Sequence, residues 1–380
     1  MPGPLGPGGE QRTVAPDCFF ERVLRVSRSH GVTRLADVTG LDRIGLPVWQ
    51  AVRPAGRSLS VHQGKGATPI GAKIGALCEA IECDHAEKAV ADGPRCPFGA
   101  LAESQRAPDV ADFSRDRTRP PPDSEPIQWC RATDLLSGGD HYVPHACVSL
   151  DMSTGVPSPY FERSSSGLGL GASEGEAIAT ALYEAVERDA IGRWDRSDAP
   201  ARLASSLAPD SIPFDWFLLW RDRCRERDIG LRIFAADSVG GVPALIVSIA
   251  GKAEFGTESR RFSGTAVHGD PEIALFKAMA EAMQSRLTFI AGVRDDFLPS
   301  HYAAPKSGPP RPPPSGIRQR RWQEIEAHPA GWEHAAEGLA AQGYRQILVK
   351  RLDAGDEGLA VVKLFVPGLG SLRRGRRPPQ

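Results

Sequence analysis

The sequence predicts an α+β fold, with mixed or antiparallel sheets packed against helices, and two kinds of pattern support this class. Two strings rich in β-branched residues, 231–236 and 244–250, flank two adjacent glycines and indicate a hairpin. Elsewhere apolar residues recur at helical spacing, as at Ile70, Ile74 and Leu77. Because no βαβ alternation dominates, the chain is better described as α+β than as α/β.

The first half of the chain predicts one long helix among shorter elements. The first residues are rich in Gly and Pro, which is typical of a disordered tail, and a later polar stretch with three consecutive prolines indicates a surface insert. The expected elements are a disordered tail at 1–18, a short helix from residue 19, a strand at 58–61, a loop at 63–66, a helix at 69–90, a surface insert at 103–126 and strands at 142–144 and 147–150.

The second half predicts two more long helices. A Ser/Gly-rich run precedes one of them, and the other begins near Pro271, a favoured first-turn residue, with Asp270 as its N-cap. The expected elements are a helix after residue 173, the hairpin, a helix from residue 271, a Pro-rich linker at 303–316, a helix at 332–342, strands at 346–352 and 359–366, and a basic tail at 371–380.

Composition excludes several classes of protein. The 380 residues contain 46 Lys and Arg against 47 Asp and Glu, so the net charge of -1 gives no reason to expect nucleic-acid or membrane binding. No apolar stretch is long enough to span a bilayer, and the first residues do not resemble a signal peptide. The seven cysteines have no Cys-x-x-Cys spacing, so a reduced, cytoplasmic protein without a zinc site is expected.

One short phrase occurs three times, and it carries the chemistry. Residues 76–82, 181–187 and 278–284 read Ala-Leu-Cys-Glu-Ala-Ile-Glu, Ala-Leu-Tyr-Glu-Ala-Val-Glu and Ala-Met-Ala-Glu-Ala-Met-Gln. On a helix, residues three apart share a face, so each copy offers two side-chain oxygens beside an apolar surface. If the helices converge, four carboxylates and an amide need a compensating cation, and oxygen ligands favour a hard ion such as Mg²⁺.

Weaker signals lie beside these phrases. Arg188 and Arg286 could bind phosphate oxygens, although Arg188 could equally form an ion pair with Glu184 four residues earlier. The Gly-Lys-Gly at 64–66 is not a Walker A loop and is more often a turn. The Gly-rich run 167–171 is a poor dinucleotide fingerprint, and it better suits backbone amides that approach an anion at a helix N-terminus.

Taken together, these segments resemble the YcaO superfamily, and the similarity runs from about residue 30 to 370. The matching stretches are 33–48, 58–61, 63–66, the helix that ends Glu79-Ala80-Ile81-Glu82, 165–168, 176–178, 184–190, 281–287, 292–296 and 361–369. The resemblance implies a YcaO-like fold around a nucleotide site, with residues 19–370 as one ATP-binding catalytic domain.

The resemblance also implies an ATP- and Mg²⁺-dependent enzyme that activates a peptide-backbone amide. ATP phosphorylates the amide oxygen as a nucleophile attacks, which turns a poor leaving group into a good one. A Cys, Ser or Thr side chain then gives an azoline, sulfide gives a thioamide and an amine gives an amidine. Carried over by position, the Mg²⁺ ligands are Glu79, Glu82, Glu184 and Glu187, and the nucleotide ligands are Lys65, Glu176, Arg188, Glu281, Gln284 and Arg286, of which Arg188 and Arg286 are expected to be catalytic.

The stretch around Gly40-Leu41-Asp42-Arg43 is most similar to the branch that works with a TfuA-like sulfur-transfer partner. Thioamide formation on a peptide or protein, by a homodimer without a preceding leader-binding domain, is therefore the leading hypothesis. The last residues lack the alternating prolines of azoline-forming members, which argues against cyclodehydration.

Three other interpretations stay open. They are an azoline-forming cyclodehydratase, a non-catalytic scaffold that binds peptide or partner, and a nicotinamide-dependent oxidoreductase that uses the Gly-rich run. Gly75, Ala172 and Gly370 depart from frequent family residues, and the first two remove side-chain donors near the nucleotide. A scaffold would fit those losses.

Overall fold

Three antiparallel sheets, each with a long helix packed on it, organise the chain. The computed structural model describes residues 6–7, 13–153, 158–252, 259–296, 298–303, 318–329, 331–352 and 358–370. The helices in these residues are α1 Pro16–Ser27, α2 Pro69–Glu87, α3 His145–Val148, α4 Glu174–Arg196, α5 Ala199–Ala204, α6 Asp215–Glu226, α7 Pro271–Ala291, α8 Pro299–Ala303 and α9 Trp332–Ala341.

The strands form a three-stranded, a four-stranded and a six-stranded sheet among the described residues. They are β1 Arg34–Asp37, β2 Val48–Val52, β3 Val61–Lys65, β4 Arg95–Cys96, β5 Ile127–Asp134, β6 Asp140–Pro144, β7 Leu168–Gly171, β8 Ser206–Leu207, β9 Ile229–Ala236, β10 Ala244–Lys252, β11 Ser259–Val267, β12 Leu348–Arg351 and β13 Ala360–Phe365. The sheet orders are β1-β2-β3, β11-β10-β9-β8 and β4-β5-β12-β13-β7, with β6 paired to β5. Helix α2 packs on β3, α4 on β7 and α7 on β11. The expected α+β class is confirmed.

Side-chain caps fix where the three long helices begin. The hydroxyl of Thr68 accepts the N–H of Gly71 before α2, and the hydroxyl of Ser173 accepts the N–H of Glu176 before α4. The carboxylate of Asp270 accepts the N–H of Glu272, which confirms the predicted N-cap of α7. Each cap satisfies one of the backbone donors that a helix leaves unpaired at its first turn.

Three strand glycines let these helices approach the sheets closely. A Cβ built on Gly64 in β3 would overlap the backbone of α2 at Ala72 and Ala76, and the same holds for Gly169 in β7 and Gly264 in β11 against α4 and α7. Only a residue without a side chain permits backbone-to-backbone packing at this distance. The predicted loop at 63–66 is therefore wrong for residues 63–65, because Gly64 lies inside strand β3.

Other expectations are confirmed or corrected element by element. The hairpin is confirmed by antiparallel pairing of β9 and β10, and the helix at 332–342 by α9. The strand expected at 147–150 is wrong, since residues 145–148 form α3, and the strand expected at 58–61 begins only at its last residue. The helix expected from residue 19 begins at Pro16, three residues inside the predicted tail.

The expected surface insert at 103–126 is only partly at the surface. Ala107 and Phe113 are buried, and the Phe113 ring packs edge-on against Phe365, with ring centroids 5.9 Å apart. The polar composition of the stretch concealed these few apolar contacts. The described part of the tail at 1–18 is limited to residues 6–7 and 13–18, whereas the Pro-rich linker after residue 303 and the basic tail at 371–380 lie outside the described residues.

Gly64→Ala should destabilise the protein, because the added methyl group must displace the backbone of α2. Overpacking of this kind costs roughly 1–3 kcal/mol. Urea unfolding followed by circular dichroism measures the change. The matched control is Gly99→Ala, since a Cβ there meets no atom within 4 Å and should change the free energy of unfolding by less than about 0.5 kcal/mol. Equal stability of the two variants would contradict the close-packing argument.

Candidate functional site

The first acidic phrase places Glu79 of α2 against strand β3. The backbone N–H of Gln63 donates to Glu79 Oε2 at 2.8 Å, so the close packing of strand on helix also fixes this carboxylate. Burial raises the pKa of Glu79, whereas that hydrogen bond, Arg294 and Lys65 lower it, and Glu184 of α4 raises it further. The carboxylates of the first and second phrases therefore lie close enough to repel each other.

The second phrase forms the ion pair that the sequence offered as an alternative. Arg188 Nη2 lies 3.1 Å from Glu184 Oε1, and the N–H of Gly167 donates to the other carboxylate oxygen at 3.1 Å. Both side chains are partly exposed, so the pair itself adds little stability. Its effect is geometric: it holds a guanidinium and a Gly-rich backbone around one carboxylate.

The second and third phrases meet at Glu187. The hydroxyl of Thr265 on β11 donates to Glu187 Oε1 at 2.6 Å. Burial, followed by the nearby Glu281 carboxylate of α7, raises the pKa of Glu187 to about 8. Lys65 Nζ lies 3.5 Å from Glu281 Oε2. Helices α2, α4 and α7 thus bring their acidic side chains to one region, here called the acidic site.

The donor chemistry of the acidic site fits Mg²⁺. Within the described residues, no three His, Cys, Asp or Glu side chains are grouped as a complete metal site. Mg²⁺ commonly uses one or two carboxylates and takes its other ligands from phosphate and water, so pairs of carboxylates suffice. Burial and neighbouring carboxylates raise the pKa values of Glu79 and Glu187, and a divalent cation beside them would favour their ionised forms.

Three other predicted ligands are less informative. Glu176 accepts the backbone N–H groups of Ala172, at 2.9 Å, and of Thr13, so its carboxylate closes the turn before α4. Glu82 and Gln284 are partly buried on α2 and α7, one turn beyond Glu79 and Glu281. Their placement is compatible with the predicted roles, which stay predictions.

Arg286 occupies a different environment from Arg188. Its Nε donates to both carboxylate oxygens of Asp42, at 3.2 and 3.1 Å, and the side chains of the pair are 4% and 3% exposed. Its Nη2 atom is buried and has no hydrogen-bond partner among the described residues. The pair ties the turn Thr39–Leu41 to α7. The nucleotide-binding role of Arg286 stays a prediction.

Sequence reasoning missed two cations beside the acidic site. Arg294 acts electrostatically on Glu79 and binds Asp296, with Nη2 to Oδ2 at 2.7 Å. Lys363 of β13 is 1% exposed, and its Nζ donates to the carbonyl oxygen of Ser164. Burial lowers the pKa of Lys363 to about 8, although Glu184 raises it. The available signal was a lysine within the apolar run Val-Val-Lys-Leu-Phe-Val at 361–366.

A cleft of about 350 Å³ adjoins the acidic site on the side of α4. Its walls include Arg188 and Gly167, which it shares with the acidic site, and Lys363. The other lining residues are Asp112, Phe113, Ser114, Cys147, Glu162, Ser164, Ser165, Ser166, Ala185, Leu364, Phe365, Val366, Pro367, Leu369 and Gly370. Part of the expected surface insert is therefore one wall of a cleft.

The raised pKa of Glu187 predicts that the protein without divalent cations loses stability as the pH rises. Between the ordinary value near 4.5 and the folded value of about 8, the folded state keeps a proton that the unfolded state releases. The free energy of unfolding should therefore fall across this range, by at most about 1.4 kcal/mol per pH unit. In Glu187→Gln the fall should be smaller, as measured by urea unfolding at pH 5 and pH 8. Glu174→Gln, an exposed change on the same helix, should retain the wild-type slope.

The buried pair with Asp42 predicts that Arg286→Met destabilises the fold by roughly 3–5 kcal/mol, because it leaves a buried carboxylate uncompensated. Urea unfolding measures this, and Arg318→Met, which removes an exposed ion pair, serves as the control. A stable Arg286→Met protein that had lost only nucleotide binding would support the original prediction for this residue.

Similarity to known proteins identifies the family of the chain. The family model described as YcaO cyclodehydratase, ATP- and Mg²⁺-binding, matches residues 63–370. An uncharacterized protein in the tfuA 3' region of Rhizobium leguminosarum bv. trifolii is 35% identical over an alignment of 381 positions. The alignment includes 94% of this chain and 88% of that protein. An uncharacterized protein of Mycobacterium tuberculosis is 31% identical over an alignment of 376 positions. This alignment includes 95% of this chain and 83% of that protein.

Two solved structures share the fold. A YcaO protein from Methanopyrus kandleri, bound with AMPPCP and Mg²⁺, has a TM-score of 0.71 and is 21% identical. The match covers 97% of this chain and 97% of that protein. A heterocyclase in complex with substrate and cofactor has a TM-score of 0.76 at 21% identity, and the match covers 96% of this chain. The chain spans about half the length of that heterocyclase, 53%.

The comparisons confirm the predicted fold and, at the level of the family, the predicted cofactors ATP and Mg²⁺. In the described residues, no helix combines the length and the apolar character needed to cross a membrane. With the family model matched over most of the chain and relatives above 30% identity along nearly all of it, the protein belongs to the YcaO family of ATP-dependent peptide-modifying enzymes.

Proposed function

We propose that the protein converts a backbone amide of a ribosomally made peptide or protein into a thioamide, at the expense of ATP. The observation that carries this proposal is the convergence of α2, α4 and α7, which brings Glu79, Glu184, Glu187 and Glu281 together with Lys65 and Arg188. Carboxylates for Mg²⁺ next to cations for phosphate form the arrangement that phosphoryl transfer needs.

The branch supports sulfur as the nucleophile. The relative from Rhizobium leguminosarum is named for its place in the tfuA 3' region, which agrees with the TfuA-like partner predicted from the sequence. Such a partner would deliver the sulfur to the peptide amide. A homodimer and a cytoplasmic location remain predictions.

Some residues of the acidic site would bind the cation and the phosphate groups, and others would hold those residues in position. When bound, Mg²⁺ and ATP supply the electrophilic phosphoryl group that activates the amide oxygen. The carboxylates of Glu79, Glu82, Glu184 and Glu187 would hold the cation, and Glu281 would lie beside the nucleotide. Arg188 can present its guanidinium to phosphate oxygens while Glu184 fixes its orientation, and Lys65, which pairs with Glu281, adds an ammonium group.

Two residues that depart from the family pattern have structural roles here. A Cβ on Gly75 would come within 3.2 Å of Gly64 Cα, so the glycine serves the close packing of α2 on β3. Ala172 contributes its backbone N–H to Glu176, which needs no side chain. The Gly75 contact weakens the scaffold hypothesis, because that departure has a reason other than loss of nucleotide binding.

Azoline formation is the second candidate. The observation in its favour is the similarity to a heterocyclase solved with substrate and cofactor. Both reactions use the same activation of the amide oxygen and differ only in the nucleophile. The site geometry serves either one, so the product must distinguish them.

Incubation of the protein with Mg-ATP, sulfide, the TfuA-like partner and a precursor peptide should exchange one peptide oxygen for sulfur, as measured by mass spectrometry. Loss of water would instead indicate an azoline. Glu184→Gln should abolish Mg-ATP binding in calorimetry, because it removes a carboxylate that fixes Arg188 and faces the cation. Glu226→Gln, an exposed change, should bind as wild type does. A wild-type protein that neither binds Mg-ATP nor alters the peptide would be a scaffold.

A further inference from the structure

The lysine in the cleft wall is costly for the fold. Lys363 is fully buried in β13 between Val362 and Leu364, which are also buried, and lysine is almost never buried unless it is paired. Its ammonium group has three donors, and one hydrogen bond, to the carbonyl oxygen of Ser164, accounts for one of them. Its Nζ also lies over the Phe365 ring, 5.9 Å from the ring centroid, and among the described residues Lys363 takes part in no ion pair.

An apolar side chain would fill this position at lower cost, since replacement of a buried charge by an apolar group is often neutral or stabilising. The lysine also borders the cleft of about 350 Å³, which lies within the usual range for small-ligand pockets, roughly 300–1,000 Å³. The hydrogen bond to Ser164 and the contact with the Phe365 ring leave the ammonium group with donor capacity at the wall of this cleft.

The position of the cleft relates Lys363 to the acidic site. Arg188 and Gly167 line the cleft, and both also bind Glu184. The Glu184 carboxylate acts electrostatically on Lys363 as well. A group bound in the cleft would therefore contact walls that hold both Lys363 and Arg188.

We propose that this cleft binds the backbone of the peptide substrate, and that Lys363 donates a hydrogen bond to the oxygen of the amide under attack. The assignment rests on the proposed function, since it identifies the second substrate's site in that reaction. It adds a catalytic residue that contacts the reacting atoms.

In the proposed reaction, sulfur replaces the oxygen of the attacked amide. Hydrosulfide forms a C–S bond to the amide carbon, and the electron pair of the C=O π bond moves to the oxygen, where Lys363 stabilises the negative charge. That oxygen attacks the γ-phosphorus of ATP, and ADP leaves. The C–O bond then breaks as the C=S bond forms, with phosphate as the leaving group and the hydrosulfide proton passing to it. Lys363 donates hydrogen bonds throughout and transfers no proton.

A pair of small probes tests this role without knowledge of the natural peptide. One is capped triglycine, and the other is the same molecule with its central amide replaced by a phosphinate, which is tetrahedral and anionic like the attacked amide. In the presence of Mg-AMPPCP, the wild type should bind the phosphinate at least about tenfold more tightly, since donors arranged for a developing oxyanion favour the charged form. Lys363→Met should lose this preference, and Lys363→Arg should keep part of it.

The matched control is Lys350→Met. Lys350 lies directly opposite Lys363 in the β12–β13 register, but its ammonium group binds Asp92 at 2.6 Å and it does not line the cleft. This variant should keep the phosphinate preference. Lys363→Met should also reduce the single-turnover rate by about 10²–10³-fold, with the affinity for Mg-ATP within about twofold of wild type.

A structural role gives a different result. If Lys363 only balances buried charge, one of two results is expected. Lys363→Met will keep the phosphinate preference, or it will lose Mg-ATP binding and thermal stability together. Either result overturns the proposal. Should Lys363→Met fail to fold, Ala185→Leu fills the same cleft and should weaken both probes, whereas Thr180→Leu, exposed on the same helix, should not. Unchanged probe binding in Ala185→Leu also overturns it.

Failure of the proposed function is recognised separately. In one outcome the protein binds no Mg-ATP and forms no product, yet still prefers the phosphinate through Lys363 in the absence of nucleotide. That result would refute the proposed reaction and support the cleft as a binding site. Turnover with no phosphinate preference refutes the cleft and retains the reaction.

Discussion

The contact of three strand glycines with three helix backbones positions the rest of the site. Gly64 meets α2 at Ala76, Gly169 meets α4 at Ala181 and Gly264 meets α7 at Ala282. In the first two helices the leading glutamate follows the contact by three residues, and in the third it immediately precedes it. Because the helix backbones touch the strands, the carboxylates of different helices lie close enough to act on one another electrostatically. A strand with a larger residue at these points would move its helix outward and separate the carboxylates.

Convergence creates an electrostatic cost that the protein leaves partly uncompensated. Arg188, Lys65 and Arg294 act on the acidic site, yet burial and mutual repulsion still raise the pKa values of Glu79 and Glu187. The third phrase ends in Gln284, so this helix adds an amide at that position where the first two phrases carry a second carboxylate. A site with this balance favours a bound cation more strongly than a fully neutralised one.

The sequence predicted those parts of the structure that depend on local pattern. The repeated phrases, the N-cap at Asp270 and the β9–β10 hairpin follow from spacing and from turn residues, and each is present. Long-range contacts account for the features that local pattern could not predict. Asp42 and Arg286 are 244 positions apart, so nothing local indicates that the arginine is buried in an ion pair. Likewise, Phe113 reaches Phe365 from a stretch whose composition is polar.

Lys363 interrupts an apolar strand, and such an interruption can indicate a functional residue. The strand at 360–365 is otherwise apolar, and a single charge there could have marked an edge facing solvent or a functional wall. The structure decides between these: β13 lies between β12 and β7, so it is a central strand, and Lys363 is 1% exposed. A charge retained there requires a polar partner supplied by the protein or by a ligand, and Ser164 supplies one of the three acceptors that the ammonium can use.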